Sequence, residues 1–446
     1  MLVIAKFGGT SVENADSFKH VAKIVRNNIK IRVVVLSAVA GITNKLIKIF
    51  KLPSNKRKNA CHDIIKVHEN IIKQLELNKH VTIKLLKPII DELLSLSESA
   101  TTVSDLDQLL SIGERLSSVI MTGLLKKNDI KAIFFDAREL IITNNNFGYA
   151  TPKIEDIKLN CLSKITSKLE EYIIITQGFI GATKEGLSTT LGRGGSDYSA
   201  ALFAEALNAD LLEIYTDVKG IYTGDPNLIP NAKLIPNLSY NDIGEFSKFG
   251  ARVLHPSTII PCARMNIPIL VKCTFSPNEG GTLINNKQQL ISEHSIKAIG
   301  LLKNQLLFTF NRSNSTFLNR IYEVLKNYQV TDTVVIRDNK NINIVINKDN
   351  FNTYNSVTSI QQKFFEEIQF ITKISIEEDL SLLTLVGRNL SQILGTLQTI
   401  VKSVNFPIRM LCHETSFSSI SLLIQNDYAH ILFEQIHKIF LENEIA

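Results

Sequence analysis

Leu2-Val3-Ile4-Ala5-Lys6-Phe7-Gly8-Gly9-Thr10-Ser11 opens the chain with an apolar run, a lysine set inside it, and a glycine pair directly after it. Leu2–Phe7 is strand-sized and apolar at nearly every position, the pattern of a strand buried on both faces. Asp16–Asn27 then carries Phe18, Val21, Ile24 and Val25 at helical spacing, and Arg32–Ser37 is a second β-branched run. Strand, helix and strand in succession predict a parallel sheet covered by helices. Tyr172–Thr176, Leu211–Thr216 and Ile267–Val271 read as further buried strands of that sheet. Ligands of such sheets bind beyond the carboxyl ends of the strands, so the loops after these runs are the ones to inspect.

Two of those loops suit an anion. At Lys6–Ser11 a glycine pair lets backbone N–H groups approach closely, and the preceding lysine adds a point charge. Thr189-Thr190-Leu191-Gly192-Arg193-Gly194-Gly195-Ser196-Asp197 is a second glycine-rich loop, and it opens the apolar helix Tyr198–Leu207. Ser196 or Asp197 is expected to cap that helix, and Arg193 can clamp a carboxylate with two parallel bonds. Neither loop is a P-loop, and Asp197 stands where a dinucleotide fingerprint requires glycine. Ser37–Asn44, Gln177–Gly181 and Thr216–Pro226 add polar groups after other strands. In the helix Asp107–Leu125, Glu114 lies about 100° from the centre of the apolar stripe and Arg115 nearly opposite it. Glu114 is thus expected at the buried edge, where a carboxylate wants a cation, either a substrate ammonium or an internal partner. His255, before Pro256, reads as a turn or cap residue.

The chain has 446 residues, 44% hydrophobic and 21% charged, an ordinary globular composition. About three domains fit that length. No apolar run reaches membrane-spanning length and no secretion signal is expected at Met1–Phe7. Five scattered cysteines with no C-x-x-C pair point to a reducing compartment. A net charge of +6 is mild, and no nucleic-acid or membrane partner is demanded. The densest basic cluster, Lys51–Lys58, reads as a solvated loop at a helix end. Histidines and acids lack metal-site spacing, so any metal is expected to be Mg²⁺ carried on nucleotide phosphates.

Beyond Ser295 a weak internal repeat appears. Leu306–Phe310, Phe317–Tyr328, Thr333–Asp338 and Asn341–Asn347 read β-α-β-β. Leu382–Val386, Leu390–Val404, Ile408–Cys412 and Ser419–Gln425 repeat the order, and Ala429–Phe440 closes as a helix. Ferredoxin-like units of this size pair to bury a face, which suggests sensing or dimerisation modules.

Taken together, these motifs resemble the aspartokinases, most closely the monofunctional lysine-sensitive type. The likeness rests on KFGGTS (Lys6–Ser11), LSAVAGITN (Leu36–Asn44), Gly113-Glu114, TQGFIG (Thr176–Gly181), TTLGRGGSDYSA (Thr189–Ala200), YTDVKGIYTGDP (Tyr215–Pro226) and FGARVLHP (Phe249–Pro256). It implies an α/β amino-acid-kinase three-layer sandwich with a mainly parallel central sheet over 1–285. Two ACT units of α+β type follow, over 296–372 and 373–446, with Ile296–Leu302 as a strand shared with the second. The implied reaction is ATP-dependent phosphorylation of the side-chain carboxylate of L-aspartate in the cytoplasm, by a homodimer or larger assembly, with an amino-acid effector at the ACT units.

The resemblance also implies roles. Lys6, Gly8 and Gly9 would meet the transferring phosphoryl group, with Thr216, Asp217, Tyr222 and Arg252 around the nucleotide. Ser37, Thr43, Glu114, Phe179, Arg193, Ser196 and Asp197 would form the aspartate site, with Lys6, Arg193 and Asp197 catalytic. Phe317, Leu318, Thr331 and Asp332 would face an effector. Three departures stand out: Arg252 replaces the usual lysine, Asn227 follows Asp225-Pro226 in place of arginine, and the acid of the effector strand comes one residue early, which turns it to the opposite face. A catalytically silent sensor on the same scaffold and another amino-acid kinase are the rival readings.

Overall fold

The computed structural model describes residues 1–77, 79–248, 254–286, 295–311, 315–327, 330, 334–337, 341–348, 360–371, 374–388, 390, 395–414 and 419–442. Arg252, Thr331 and Asp332 lie outside these residues. The chain packs as two units: Met1–Ile221, Leu234–Tyr240 and Val253–Gln288 form one, and Tyr222–Lys233, Asn241–Arg252 and Gln289–Ala446 the other. No described helix is long and apolar enough to cross a membrane.

The first unit is built on an eight-stranded sheet. Its strands are β1 (Val3–Phe7), β2 (Ile31–Leu36), β3 (Ala132–Phe134), β4 (Ile173–Gln177), β7 (Leu211–Thr216), β8 (Asn237–Ser239), β9 (Ile269–Cys273) and β10 (Thr282–Asn285). Their order is β3-β4-β2-β1-β7-β9-β10-β8. All pairings are parallel except β9 with β10. β1 is buried at all five positions, as its apolar sequence requires. A small hairpin, β5 (Ile180–Ala182) with β6 (Ser188–Thr190), stands apart from this sheet. The helices of this unit are α1 (Ala15–Asn27), α2 (Ile42–Lys51), α3 (Ser54–Gln74), α4 (Lys79–Ser99), α5 (Val103–Lys127), α6 (Ile154–Lys164), α7 (Gly195–Ala206) and α9 (Pro256–Met265), while α8 (Tyr240–Lys248) belongs, after Tyr240, to the second unit.

Local chemistry sets several of these boundaries. The Asn14 side chain accepts from the amides of Asp16 and Ser17 and starts α1, a cap that contributes about 1 kcal/mol. Thr102 and Asp105 form a reciprocal capping box on α5. His255 accepts from the Ser257 amide and caps α9, with Pro256 at its first position, the cap role read from the sequence.

Three local expectations fail. The basic stretch expected to be a loop runs into α3. Arg57 there is half-buried and donates to the carbonyls of Phe50, Leu52 and Ala100, satisfying the open ends of α2 and α4. The α7 cap is neither Ser196 nor Asp197 but Gly194, left-handed at φ 71°, because the chain must turn sharply into the helix. Arg115, expected at the exposed face, is buried: its Nη1 lies 2.6 Å from Glu92 Oε2, and its Nε 3.7 Å from Asp136 Oδ2. Neighbouring elements bury α5 on nearly every side, so a single-stripe reading underestimates it.

The second unit centres on a six-stranded antiparallel sheet, ordered β12-β13-β11-β14-β16-β15. The strands are β11 (Ser295–Asn311), β12 (Val334–Arg337), β13 (Asn341–Asn347), β14 (Ile374–Arg388), β15 (Met410–Glu414) and β16 (Ser419–Gln425). The helices are α10 (Ser315–Asn327), α11 (Ile360–Ile371), α12 (Thr396–Lys402) and α13 (Asn426–His437). β11 and β14 are long and serve both repeats. Gln305–Asn311 of β11 pairs with β13, while its Ser295–Leu302 part pairs with the end of β14. Both strands carry a left-handed residue beside the register shifts, Asn304 (φ 61°) and Asp379 (φ 58°), which lets a strand bend between two cores. One core joins Leu306, Phe308 and Phe310 to Ile321, Val324, Phe364 and Ile368. The other joins Leu383, Leu385, Leu422 and Ile424 to Ile400, Leu432, Phe433 and Ile436. Phe317 and Leu318 lie in the first turn of α10.

The segment 222–233 packs inside this unit. The Ile299 amide donates to Thr223 O. Thr223 Oγ1 lies 3.0 Å from His437 Nε2, and Glu442 receives His437 on one oxygen and Asn231 on the other. Lys297 and Asp242 form a buried ion pair at 2.6 Å.

Candidate active site

The parallel order β4-β2-β1-β7-β9 sets the carboxyl ends of five strands side by side, and the loops read from the sequence leave from those ends. β1 is hydrogen-bonded to β2 on one side and β7 on the other, so the glycine pair sits where the strand order switches. Gly8 donates to Tyr215 O. A Cβ on Gly9 would come within 3.0 Å of Ala38 O, so the turn after β1 tolerates little beyond glycine. Ser11 Oγ and Thr274 Oγ1 are 2.6 Å apart and tie that turn to the end of β9.

Lys6 is buried within β1, and its Nζ lies 2.6 Å from Asp197 Oδ1 in the first turn of α7. An ion pair therefore joins the two glycine-rich loops. Asp197 does not cap α7; its side chain meets the lysine instead. The amides of Ser196 and Asp197 make no hydrogen bond among the described residues, leaving free donors at the positive end of a helix. Arg193 is exposed between Gly192 (φ 76°) and Gly194 (φ 71°), and it forms no hydrogen bond or ion pair among the described residues. The loop is tightly seated: a Cβ on Gly192 would strike the Tyr149 ring, one on Gly194 the His255 side chain, and one on Gly195 the Phe179 ring.

Phe179 is buried with φ 70°, a conformation that strains a non-glycine residue by about 1–3 kcal/mol. Its amide donates to Ser199 Oγ and its carbonyl accepts from Leu191, which fixes the turn against the Arg193 loop. Ser37 follows β2, and its carbonyl accepts from Ser117 Oγ. Thr43 lies in the first turn of α2, behind left-handed Gly41.

Glu114 is the most perturbed acid of the group. Burial pushes its carboxyl up to about 8, against the pull of its own amide and that of Ala38. Its Oε2 is buried with no partner among the described residues. The internal ion pair left open by the sequence is absent among these residues. Gly113 lets α5 approach closely enough for this, since a Cβ there would lie 2.7 Å from Ala38 Cβ. Ser118 bridges the carbonyls of Glu114 and Thr176, and Thr176 Oγ1 is also buried without a partner among the described residues. An orphaned carboxyl oxygen and an orphaned hydroxyl on adjoining elements suit a polar ligand.

At the end of β7, Thr216 Oγ1 donates to Asp217, whose side chain is exposed and whose carbonyl accepts from Cys273. Tyr222 falls in the segment that packs with the second unit. So does Asn227, whose amide and side chain both turn back to Asp225. Ser118 and Thr274 escaped the sequence reading because a lone hydroxyl carries no spacing signal.

The profile described as the amino acid kinase family matches residues 1–273. The lysine-sensitive aspartokinase 3 of Escherichia coli (strain K12) is 33% identical over 450 residues, covering 99% of each chain. An aspartokinase of Chlamydia pneumoniae is 30% identical over 453 residues, covering 99% of this chain and 98% of its own. Among solved structures, E. coli aspartokinase III in complex with aspartate and ADP (R-state) superposes with a TM-score of 0.89 at 33% identity, covering 98% of this chain and 99% of that one. The same enzyme in complex with lysine and aspartate (T-state) gives 0.80 at 32% identity, covering 99% of each.

Proposed function

This chain belongs to the aspartokinases of the amino acid kinase family, and from that premise we propose how its residues carry the reaction. It is an aspartate kinase: the side-chain carboxylate of L-aspartate attacks the γ-phosphorus of ATP, the bond to the β-phosphate oxygen breaks, and 4-phospho-L-aspartate and ADP leave. A carboxylate with a pKa near 3.9 is already ionised at neutral pH, so no general base is required. What remains is alignment and neutralisation of phosphoryl charge.

The observation that carries the assignment of roles is the Lys6–Asp197 pair, with Arg193, unpaired among the described residues, four residues before Asp197. In this reading Lys6 swings its charge onto the transferring phosphoryl, beside the Gly8 and Gly9 amides. Arg193 and the free amides of Ser196 and Asp197 hold the substrate α-carboxylate, and Glu114 receives the ammonium. Ser37, Thr43 and Phe179 close the aspartate pocket. Thr216 and Asp217 border the nucleotide. The nucleotide arrives as its Mg²⁺ complex.

We assign catalysis to 1–285 and feedback regulation by an amino acid to the ACT units at 296–372 and 373–446. Lysine is the first effector to test, at Phe317, Leu318, Thr331 and Asp332. The free cysteines, four of five buried, fit the cytoplasm, and two ACT units fit a homodimer or larger.

The test is incubation with ATP, Mg²⁺ and L-aspartate, trapping the acyl phosphate with hydroxylamine, with and without lysine, threonine or methionine. Hydroxamate formed from aspartate is expected. Its absence would leave the silent-sensor reading, and turnover of glutamate alone would transfer the chain to another amino-acid kinase.

A further inference from the structure

Asp107 is fully buried on α5 and takes no part in the reaction as derived above. Its carboxylate accepts three hydrogen bonds, each 2.8 Å long. Oδ2 takes the amides of Gly148 and Thr190, and Oδ1 takes the Thr190 hydroxyl. Thr190 ends β6, three residues before Arg193. Gly148 precedes Tyr149, whose ring fills the space a Gly192 side chain would need. The Ala150 amide donates to Thr190 O, closing the link between the two strands of chain that flank the loop. Asp107 thus fixes the base of the Arg193 loop from both sides.

Glu114 stands seven residues further along the same helix. Two turns of helix separate the two acids by about 10.5 Å on one face. One rigid element therefore carries both the carboxylate assigned to the substrate ammonium and the anchor of the loop assigned to its α-carboxylate.

We propose that Asp107 is a positioning residue that sets the spacing between Arg193 and Glu114, and so the discrimination of aspartate from the dicarboxylic amino acid one methylene longer. The proposal rests on the aspartate-kinase reading. Wild-type turnover run in parallel separates failure of that reading from failure of this one. Calorimetric titration with L-aspartate reports the Asp107 effect even without turnover.

The experiment is steady-state kinetics of the full chain with aspartate, glutamate and MgATP. Asp107→Ala removes all three acceptors. It is expected to raise the aspartate KM about tenfold, the cost of losing a buried hydrogen-bonding group. The MgATP KM should stay within about twofold and the aspartate-over-glutamate preference in kcat/KM should fall about tenfold. Asp107→Asn keeps one oxygen for both amides and offers an N–H to Thr190 Oγ1, so it should restore all three values to within about threefold. Thr190→Val, which deletes only the hydroxyl bond, should show the same split about two- to fivefold in size. The proposal falls if Asp107→Ala shifts both KM values equally or neither, or if Asp107→Asn is as impaired as Asp107→Ala. If Asp107→Ala does not fold, an unchanged aspartate KM in Thr190→Val overturns it.

Discussion

The two units use their ion pairs differently. In the first, Lys6 and Asp197 pair at the open edge of a parallel sheet, and among the described residues Arg193 has no partner and Glu114 is buried without a cation. In the second, Lys297 and Asp242 pair deep in the fold at 2.6 Å. Unmatched charge held rigidly at strand ends is poised for a ligand; matched charge inside an antiparallel unit is structural. The sheets explain the contrast. Parallel strands end together on one edge and gather the loops of distant segments, whereas antiparallel strands return their chain locally and fill both faces with apolar side chains.

The comparison can be broken in four places, in decreasing order of expected effect. Lys6→Ala should lower kcat about 10²–10³-fold, some 3–4 kcal/mol, with little change in the aspartate KM; near-normal kcat in the hydroxamate assay would remove Lys6 from the phosphoryl site. Lys297→Met leaves Asp242 buried without this cation and should destabilise the chain by about 3 kcal/mol, most of it recovered by adding Asp242→Leu. Urea unfolding reads both, and a neutral single variant would show that the pair is not structural. Arg193→Ala should cost about 2 kcal/mol in aspartate binding, a roughly thirtyfold rise in KM, with the MgATP KM unchanged.

Glu114 gives the smallest and most diagnostic effect, one of pH. Its carboxyl titrates near 8 when buried and near 4.5 when unfolded. Between those values unfolding releases a proton, so stability of the ligand-free chain falls as pH rises. Aspartate, bringing an ammonium, needs the ionised form, so its KM should fall about fivefold from pH 7 to pH 8. Glu114→Gln should flatten both trends. A KM profile unchanged by that substitution would detach Glu114 from the ammonium.

Much of the first unit was legible. Phe18, Val21, Ile24 and Val25 are all buried on α1, and Leu211–Thr216 is the strand it reads as. The sequence reading misjudged Arg115, because helical periodicity assumes one buried face while α5 is surrounded. It misjudged Ser196 and Asp197, because cap preference says nothing of a lysine arriving from β1. It could not find Asp107, whose partners at 148 and 190 are about 40 and 80 residues away in the chain.

Residue type and short-range spacing determined the glycine turns, the buried strands, the repeat beyond 295 and the family that these motifs resemble. Such features depend on backbone sterics and local periodicity, which act within a few residues. Only the tertiary structure decided that Lys6 meets Asp197, that Glu114 is left without an internal cation among the described residues, and that 222–233 packs with the second unit. Those outcomes depend on which distant segments the sheet brings together, and on how much water the packing leaves around each charge.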